Sequence, residues 1–220
     1  MNIIANTATA SVKPELVSHA ALTASAWVQR WSHLVPTGGT VLDVACGQGR
    51  HMAWFAGRGH AVTGVDRSPE AINAIRHLGK AVLADIENAP WPLMDGPQPR
   101  TFDAVIVTNY LWRPLLPTIA QSLTAGGVLI YETFAAGNET VGKPSRPDFL
   151  LQPGELLSAF KQLRVVAFED GFLDAPARFV QRLAAINHAH NSTLDPILNP
   201  TMNRKMALHP ADNAPVHCPV

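Results

Sequence analysis

The sequence predicts an α/β protein with a doubly wound, Rossmann-like sheet that is mostly parallel and ends in an antiparallel hairpin. Runs rich in Val, Ile and Leu alternate with segments of helical periodicity, as in parallel strands covered on both faces. A turn of small residues, Ala45–Gly49, joins the first run to a helix. Asp43, Asp66 and Asp85 each stand at or near the end of such a run. Because the carboxyl ends of parallel strands meet at one edge, we expect these carboxylates to border one crevice.

A covering helix is expected over residues 14–34, where apolar residues recur at spacings of three and four. Ser68, Pro69 and Glu70 then supply an N-cap, a first-turn proline and a first-turn acid. The alternation predicts strands at 40–45, 61–66, 80–84, 103–108 and 127–134, and helices at 48–58, 69–78 and 113–123.

The remaining connections are expected to be loops, except near the end of the domain. Four prolines between Glu87 and Arg100 indicate a surface loop, and residues 135–151 form a longer one. A short helix at 153–161 and strands at 163–173 and 178–187 follow. The short connection around Asp174–Pro176 suits an antiparallel hairpin.

Length and composition predict a single domain. The chain has 220 residues and is 47% hydrophobic, enough for one full core over residues 14–190. We expect residues 1–13 to be mobile and residues 191–220, which are rich in Pro and Asn, to form an irregular tail.

Charge and cysteine content narrow the class of protein. The net charge is zero, so no global charge favours nucleic acid or an anionic membrane. Neither a bilayer-length apolar run nor a signal-peptide pattern is present. Cys46 and Cys218 are not expected to pair, which suits a reducing cytoplasm.

Several motifs occur in a recognisable order: LDVACGQGR, VTGVDRS, LADIENAPW and FDAVIVTNYLW. Over residues 38–187 the chain resembles class I S-adenosylmethionine (SAM)-dependent methyltransferases. The segment YETFAAGNETVGKPSRPDFLLQPGELL is similar to small bacterial methyltransferases of the tellurite-resistance type. The resemblance implies SAM as the cofactor and a small-molecule acceptor, with a soft or small nucleophile by analogy.

The resemblance also implies a role for each residue of the crevice. The bare Ala45–Gly49 backbone would receive the methionine part, although the family's usual motif has a glycine where this chain has Ala45. Asp43 would orient the amino group and the turn, and Asp66 would accept hydrogen bonds from both ribose hydroxyls. Arg50 and His51 are placed to reach the carboxylate end. The full set expected to bind SAM comprises Asp43, Ala45, Cys46, Gly47, Gly49, Arg50, Asp66, Arg67, Asp85, Ile86, Thr108 and Asn109.

The acceptor is expected at the same strand-end edge. No catalytic residue is assigned, because positioning contributes most when the methyl group is already activated. The segment 137–147 is a candidate lid. Asn109-Tyr110-Leu111-Trp112 lacks the proline pair found in enzymes that methylate exocyclic amino or amide nitrogens, which disfavours a DNA target. Acceptor-side candidates are Tyr110, Trp112, Arg113, Phe134 and Asn138, with Glu139 beside them.

Two other classes of function share parts of this sequence pattern. A non-catalytic SAM- or nucleotide-binding module would use the same crevice without turnover. An NAD-dependent oxidoreductase requires G-x-G-x-x-G/A, which fails whether counted from Ala45 or from Gly47. No metal site is expected, because the histidines near the C-terminus lack paired spacing: His188, His190, His209 and His217, with Cys218.

Overall fold

A seven-stranded sheet runs through residues 23–188, the part of the chain that this computed structural model describes. The strands are β1 (Thr40–Val44), β2 (Ala61–Asp66), β3 (Lys80–Leu83), β4 (Met94–Asp95), β5 (Gln98–Pro99), β6 (Phe102–Thr108), β7 (Leu123–Phe134), β8 (Arg164–Asp174) and β9 (Ala177–Ile186). The order of strands in the sheet is β3-β2-β1-β6-β7-β9-β8. A separate hairpin is formed by β4 and β5.

Strand direction confirms the predicted fold class. The five strands from β3 to β7 in sheet order are parallel, whereas β9 is antiparallel to both β7 and β8. β1 lies between β2 and β6, so the chain changes direction across the sheet at the carboxyl end of β1. Ligands of open α/β sheets bind at such a switch point. The crevice expected from the sequence therefore lies at the carboxyl ends of β1, β2 and β6.

Helices cover both faces of the sheet. Ser25 caps the first through a hydrogen bond from the Val28 N–H, and Ser68 caps the third, as predicted, through one from the Ala71 N–H. The segment 113–123 begins as a 3-10 turn because Pro114 and Pro117 cannot donate backbone hydrogen bonds. The helices are α1 (Ala26–Trp31), α2 (Arg50–Ala56), α3 (Pro69–Ile75), α4 (Leu116–Gln121) and α5 (Glu155–Ala159).

Alternate residues of the strands point into two separate cores. Leu42, Val107 and Tyr131 belong to the core that lies beneath α4 and α5. Val41, Ile106 and Ile130 face the other, where Trp27 and Phe55 of α1 and α2 pack. The central strands β1 and β6 are thus buried on both faces, which explains their largely apolar sequences, whereas the edge strand β3 is partly exposed.

The structure differs from the sequence-based prediction in three places. β7 begins at Leu123 instead of 127, with a register shift opposite Phe102 and Ala104. The segment 87–100, expected to be a loop, contains the β4–β5 hairpin, which turns at Gly96 with φ +59°. The helix expected over 14–34 begins at Ala26 after the Ser25 cap, so residues 23–25 are not helical, and it ends at Trp31, where the 3-10 turn Ser32–Leu34 follows. The predictions for residues 1–13, 14–22 and 191–220 lie outside the described residues.

Gly64, at the centre of β2, provides a test of this packing. A Cβ there would meet the Met52 sulfur, and it would lie 2.8 Å from the Cys46 sulfur and 3.0 Å from the Ile75 Cδ1. We expect Gly64→Ala to lower the free energy of unfolding by about 1–3 kcal/mol through overpacking. The control is Gly171→Ala in exposed β8, where a Cβ meets nothing within 4 Å. Urea unfolding of both variants checks this, and equal stability would contradict the packing described.

Candidate active site

The turn between β1 and α2 has an unusual backbone. Ala45, Gly47 and Gly49 have φ values of +52°, +51° and +75°, in the left-handed region. A Cβ at Gly49 would lie 2.5 Å from the Ile75 side chain, so this glycine allows α3 to pack closely. A Cβ at Gly47 would meet nothing within 4 Å. The turn therefore presents bare backbone to open space at Gly47. Ala45 holds the left-handed conformation at a cost of about 1–2 kcal/mol.

Asp66, the last residue of β2, fixes the shape of this turn. One carboxylate oxygen accepts the Gly47 N–H at 2.8 Å, and the other accepts the Ser68 N–H at 2.9 Å. Each oxygen has a further lone pair. Asp66 can therefore hold the turn and still accept hydrogen bonds from a ligand.

A cavity of about 120 Å³ adjoins Asp66. Beside it, Asp85 closes the turn that follows β3 by accepting the N–H groups of Glu87 and Asn88 at 3.0 and 3.1 Å. The Asn88 side chain, followed by these N–H groups, lowers the pKa of Asp85, so its carboxylate is ionised. The cavity is lined by Ala45, Asp66, Arg67, Asp85, Ile86, Glu87 and Tyr110.

Tyr110 lies in this cavity together with predicted cofactor residues. Its carbonyl accepts the Tyr131 hydroxyl at 2.9 Å, which fixes the backbone after β6. Its own hydroxyl is buried and makes no hydrogen bond of ordinary geometry to a described residue. Burial, with the nearby Glu87 carboxylate, raises the pKa of Tyr110. The sequence grouped Tyr110 with the acceptor, whereas the geometry groups it with Asp66 and Asp85.

Asp43 lies in β1, just before the β1–α2 turn, and its side chain is buried, with 2% exposed. It accepts the Met52 N–H in the first turn of α2, whose N-cap, Gly49, has no side chain. Burial raises the pKa of Asp43 to about 7, against the opposing effect of the Arg50 charge. Its Oδ2 has no hydrogen-bond partner among the described residues. This buried oxygen is suited to a cationic group arriving from the crevice.

His51 does not point towards the crevice as the sequence suggested. It is 2% exposed, and its Nε2 accepts the Ser25 N–H at 3.3 Å. Burial, with the Arg50 charge, lowers the pKa of His51 to about 3. The ring is therefore neutral, and its 3.9 Å approach to Asp43 is not an ion pair.

The other predicted cofactor residues lie around the same edge. An Arg50 guanidinium nitrogen is 3.4 Å from the Thr108 hydroxyl. Asn109 is exposed with φ +54°, and its N–H donates to the Glu132 carbonyl. The Cys46 thiol packs in the core beside Met52, and burial raises its pKa. The backbone of Cys46, and not its sulfur, therefore belongs to the turn.

Two acceptor-side candidates are engaged in holding the loop 138–151. Arg113 makes a bidentate ion pair with Glu155 at 2.7 and 3.0 Å and donates to the carbonyls of Asp148 and Leu150. Asn138, 1% exposed, donates to the Pro144 carbonyl and accepts the Phe179 N–H. Trp112 and Phe134 are half-buried. Asn138 thus holds the start of the candidate lid 137–147, and Arg113 holds the residues that follow it.

A buried charge cluster at the same edge was missed by the sequence analysis. Glu132 is fully buried and lies 3.2 Å from Arg178 and 2.9 Å from Arg182. Arg182 continues to Glu169 at 3.1 Å. The available signal was the single acid in the apolar run VLIYETF, which a buried strand tolerates only when the acid is paired.

Comparisons with known proteins identify this arrangement. Residues 41–127 match the family described as a methyltransferase domain. Residues 41–127 carry a methyltransferase domain, and the described residues have the class I methyltransferase fold. The resemblance stated from the sequence is therefore confirmed at the level of the domain, together with the SAM-dependent methyltransferase class and SAM as the cofactor. None of the curated proteins matches this sequence.

Solved structures of similar fold include methyltransferases. TehB from Haemophilus influenzae is 18% identical with a TM-score of 0.59, and the match covers 73% of this chain and 61% of that one. A TehB-like SAM-dependent methyltransferase from Corynebacterium glutamicum is 21% identical, with a TM-score of 0.54 and coverage of 77% and 91%. A SAM-dependent methyltransferase from Mesorhizobium loti is 18% identical, with a TM-score of 0.56 and coverage of 76% and 100%. At these identities the likeness concerns the fold.

Within residues 23–188, no helix is both long and apolar enough to cross a bilayer. The same residues contain no group of three or more His, Cys, Asp or Glu side chains arranged to hold a metal ion.

The open face of Gly47 leads to a prediction for the methyltransferase. Gly47→Ala and Gly59→Ala both place a Cβ at a left-handed residue with open space around it. Each should cost about 1–2 kcal/mol of stability. Only the methyl group at position 47 enters the crevice, so we expect SAM to bind this variant at least tenfold more weakly, by calorimetric titration. Equal affinity of the two variants would show that the donor does not lie against Gly47.

The raised pKa of Asp43 leads to a second prediction. Its value of about 7 exceeds the ordinary 3.8, so the folded state holds this proton more tightly than the unfolded state. The contribution of Asp43 to stability therefore falls as pH rises from about 4 to 7, by about 4 kcal/mol in total. Asp43→Asn keeps an oxygen for the Met52 N–H and lacks this titration. Its stability relative to the wild type should rise over that range in urea unfolding, and a constant difference would refute the shifted pKa.

Proposed function

We propose that this chain transfers a methyl group from SAM to a small-molecule acceptor that is anionic. The cavity at the switch point of the sheet carries the proposal, because Ala45 of the β1–α2 turn, the Asp66 carboxylate and Asp85 meet there. The enzyme class rests on the methyltransferase domain, and the acceptor is inferred from the charge of the edge.

The residues present fit the chemistry of the donor. Asp66 would accept hydrogen bonds from the ribose hydroxyls while retaining its contact with Gly47. Ile86 offers an apolar wall to the adenine, and the unpartnered Tyr110 hydroxyl lies beside it. The unpartnered Asp43 oxygen and the Arg50 guanidinium are suited to the amino and carboxylate groups of an amino acid, respectively. When bound, SAM supplies an activated methyl group.

The charge of the edge favours an anionic acceptor. Three arginines, Arg50, Arg178 and Arg182, lie around the buried carboxylate of Glu132. Arg178 is partly exposed, and its Nε has no hydrogen-bond partner among the described residues. A cation with unused donors at a water-restricted site binds carboxylates and oxyanions well. The neutral chain and the missing proline pair after Asn109 support a small acceptor over nucleic acid.

Chain residues would contribute chiefly by positioning. The loop 138–151, held by Arg113 and Asn138, borders the acceptor edge and would limit access of water. The aromatic residues Tyr110 and Phe134 lie at the ends of β6 and β7, where an aromatic face would favour the sulfonium cation. A cytoplasmic location stays a prediction from the sequence.

Calorimetric titration with SAM and S-adenosylhomocysteine tests the donor site. Asp66→Ala should weaken binding at least tenfold, because a hydrogen-bonded charged group contributes about 1.5–3 kcal/mol. Asp174→Ala, in the exposed end of β8, is the control. Unchanged affinity in Asp66→Ala would refute the ribose assignment, and binding of NADH in competition with SAM would favour an oxidoreductase.

Methyl-labelled SAM with a panel of acceptors tests the reaction. We expect label in small carboxylates or oxyanions, and a higher KM for the acceptor in Arg178→Gln with unchanged affinity for SAM. Label in nucleic acid would refute the acceptor class. Tight binding of SAM without transfer to any acceptor would favour the non-catalytic module.

A further inference from the structure

His51 is a buried polar residue that the proposed reaction does not use. It is the second residue of α2, and its ring lies among three other parts of the fold. These are Ser25 at the start of α1, Thr108 at the end of β6 and Asp43 in β1. A buried imidazole in these surroundings calls for partners at both ring nitrogens.

The tautomer of His51 follows from its partners. A backbone N–H can only donate, so Nε2, which receives the Ser25 N–H at 3.3 Å, carries no proton. The ring is neutral, so the proton is on Nδ1. That N–H faces the Thr108 hydroxyl at 3.4 Å and the Asp43 Oδ2 at 3.9 Å. His51 therefore accepts from the Ser25 N–H before α1 with one nitrogen and directs the N–H of the other towards Thr108 and Asp43.

Helix α1 is anchored to the sheet on its far side. The Trp27 indole donates to the Leu183 carbonyl at 3.3 Å, and Arg30 pairs with Glu169 at 3.3 Å. Arg182 lies 5.7 Å from the centre of the Trp27 ring. These contacts fix the body of α1 on β9 and β8, whereas Ser25 joins its start to His51.

We propose that His51 is a positioning residue that couples the start of α1 to the methyl-donor end of the crevice. The inference rests on the proposed function, because it assumes that SAM contacts the edge containing Asp43 and Thr108. When SAM orders the Asp43 and Thr108 side chains, it also orders the His51 imidazole between them and, through Ser25, the start of α1. The coupling is reciprocal, so packing of α1 tightens donor binding to the same degree.

Hydrogen exchange of the full-length wild type gives the first test. SAM, and separately S-adenosylhomocysteine, should slow exchange of the amides in residues 26–34 at least fivefold. If either ligand binds and this protection does not change, the coupling is wrong although the donor site stands. If neither ligand binds, the proposed function itself fails, so the two failures are distinguishable.

Two substitutions at His51 then distinguish the role of Nδ1 from that of Nε2. His51→Phe keeps the bulk and loses both hydrogen bonds, so SAM should bind about tenfold more weakly without protecting α1. His51→Asn places an N–H near the position of Nδ1 but does not reach Ser25. It should recover donor affinity to within about threefold of the wild type while α1 stays unprotected.

His60→Phe is the matched control. His60 packs on Phe55 of the same helix and contacts the Gly39 carbonyl, away from the crevice. This variant should retain both the affinity and the protection of the wild type. Wild-type behaviour in His51→Phe, or failure of His51→Asn to recover affinity over His51→Phe, would overturn the assignment. If His51→Phe does not fold, His51→Asn and the wild-type exchange still decide the matter.

Discussion

The hydrogen bond from the Gly47 N–H to the Asp66 carboxylate joins the two strands on which the site is built. It holds the left-handed turn after β1 against the end of β2, and the same carboxylate steadies the Ser68 N–H before α3. The shape of the turn, the start of two helices and the floor of the cavity all depend on this one side chain. Loss of Asp66 therefore affects local structure as well as binding, and stability must be measured beside affinity in any variant.

A row of polar side chains crosses one face of the sheet near the carboxyl ends of β6 and β7. Thr108 and Glu132 are cross-strand neighbours, as are Glu132 and Arg182, and then Arg182 and Glu169. Helix α1 covers this row, with Trp27 beside Arg182 and Arg30 beside Glu169. Charges buried in this way are stabilised only by one another. The row extends from the donor site to the far edge strand, so a charge change at one position alters the environment of the next.

The sequence predicted the parts of the fold that depend on local pattern. The spacing of apolar residues and the residue types in turns and caps predicted the parallel strands, the Ser68 cap and the terminal hairpin. These features are encoded within a few consecutive residues. The β4–β5 hairpin was hidden by prolines that usually indicate loops. Partnerships between distant residues were also invisible. Arg113 pairs with Glu155, which is 42 residues away in the sequence. The residues next to Arg113 do not show whether its side chain holds a loop or binds a ligand. The same holds for Tyr110 and His51, whose surroundings come from several strands and helices.

The anchoring of the loop 138–151 separates the two halves of the site. Asn138 joins its start to Pro144 and β9, and Arg113 fastens its end to α5. The exposed stretch between these anchors touches neither the β1–α2 turn nor the cavity beside Asp66. Under the proposed function, substitutions or insertions in that stretch would change the surface offered to an acceptor and leave the SAM-binding residues in place. The scaffold of the turn and cavity is therefore structurally independent of this loop, so the loop can vary at little cost to stability.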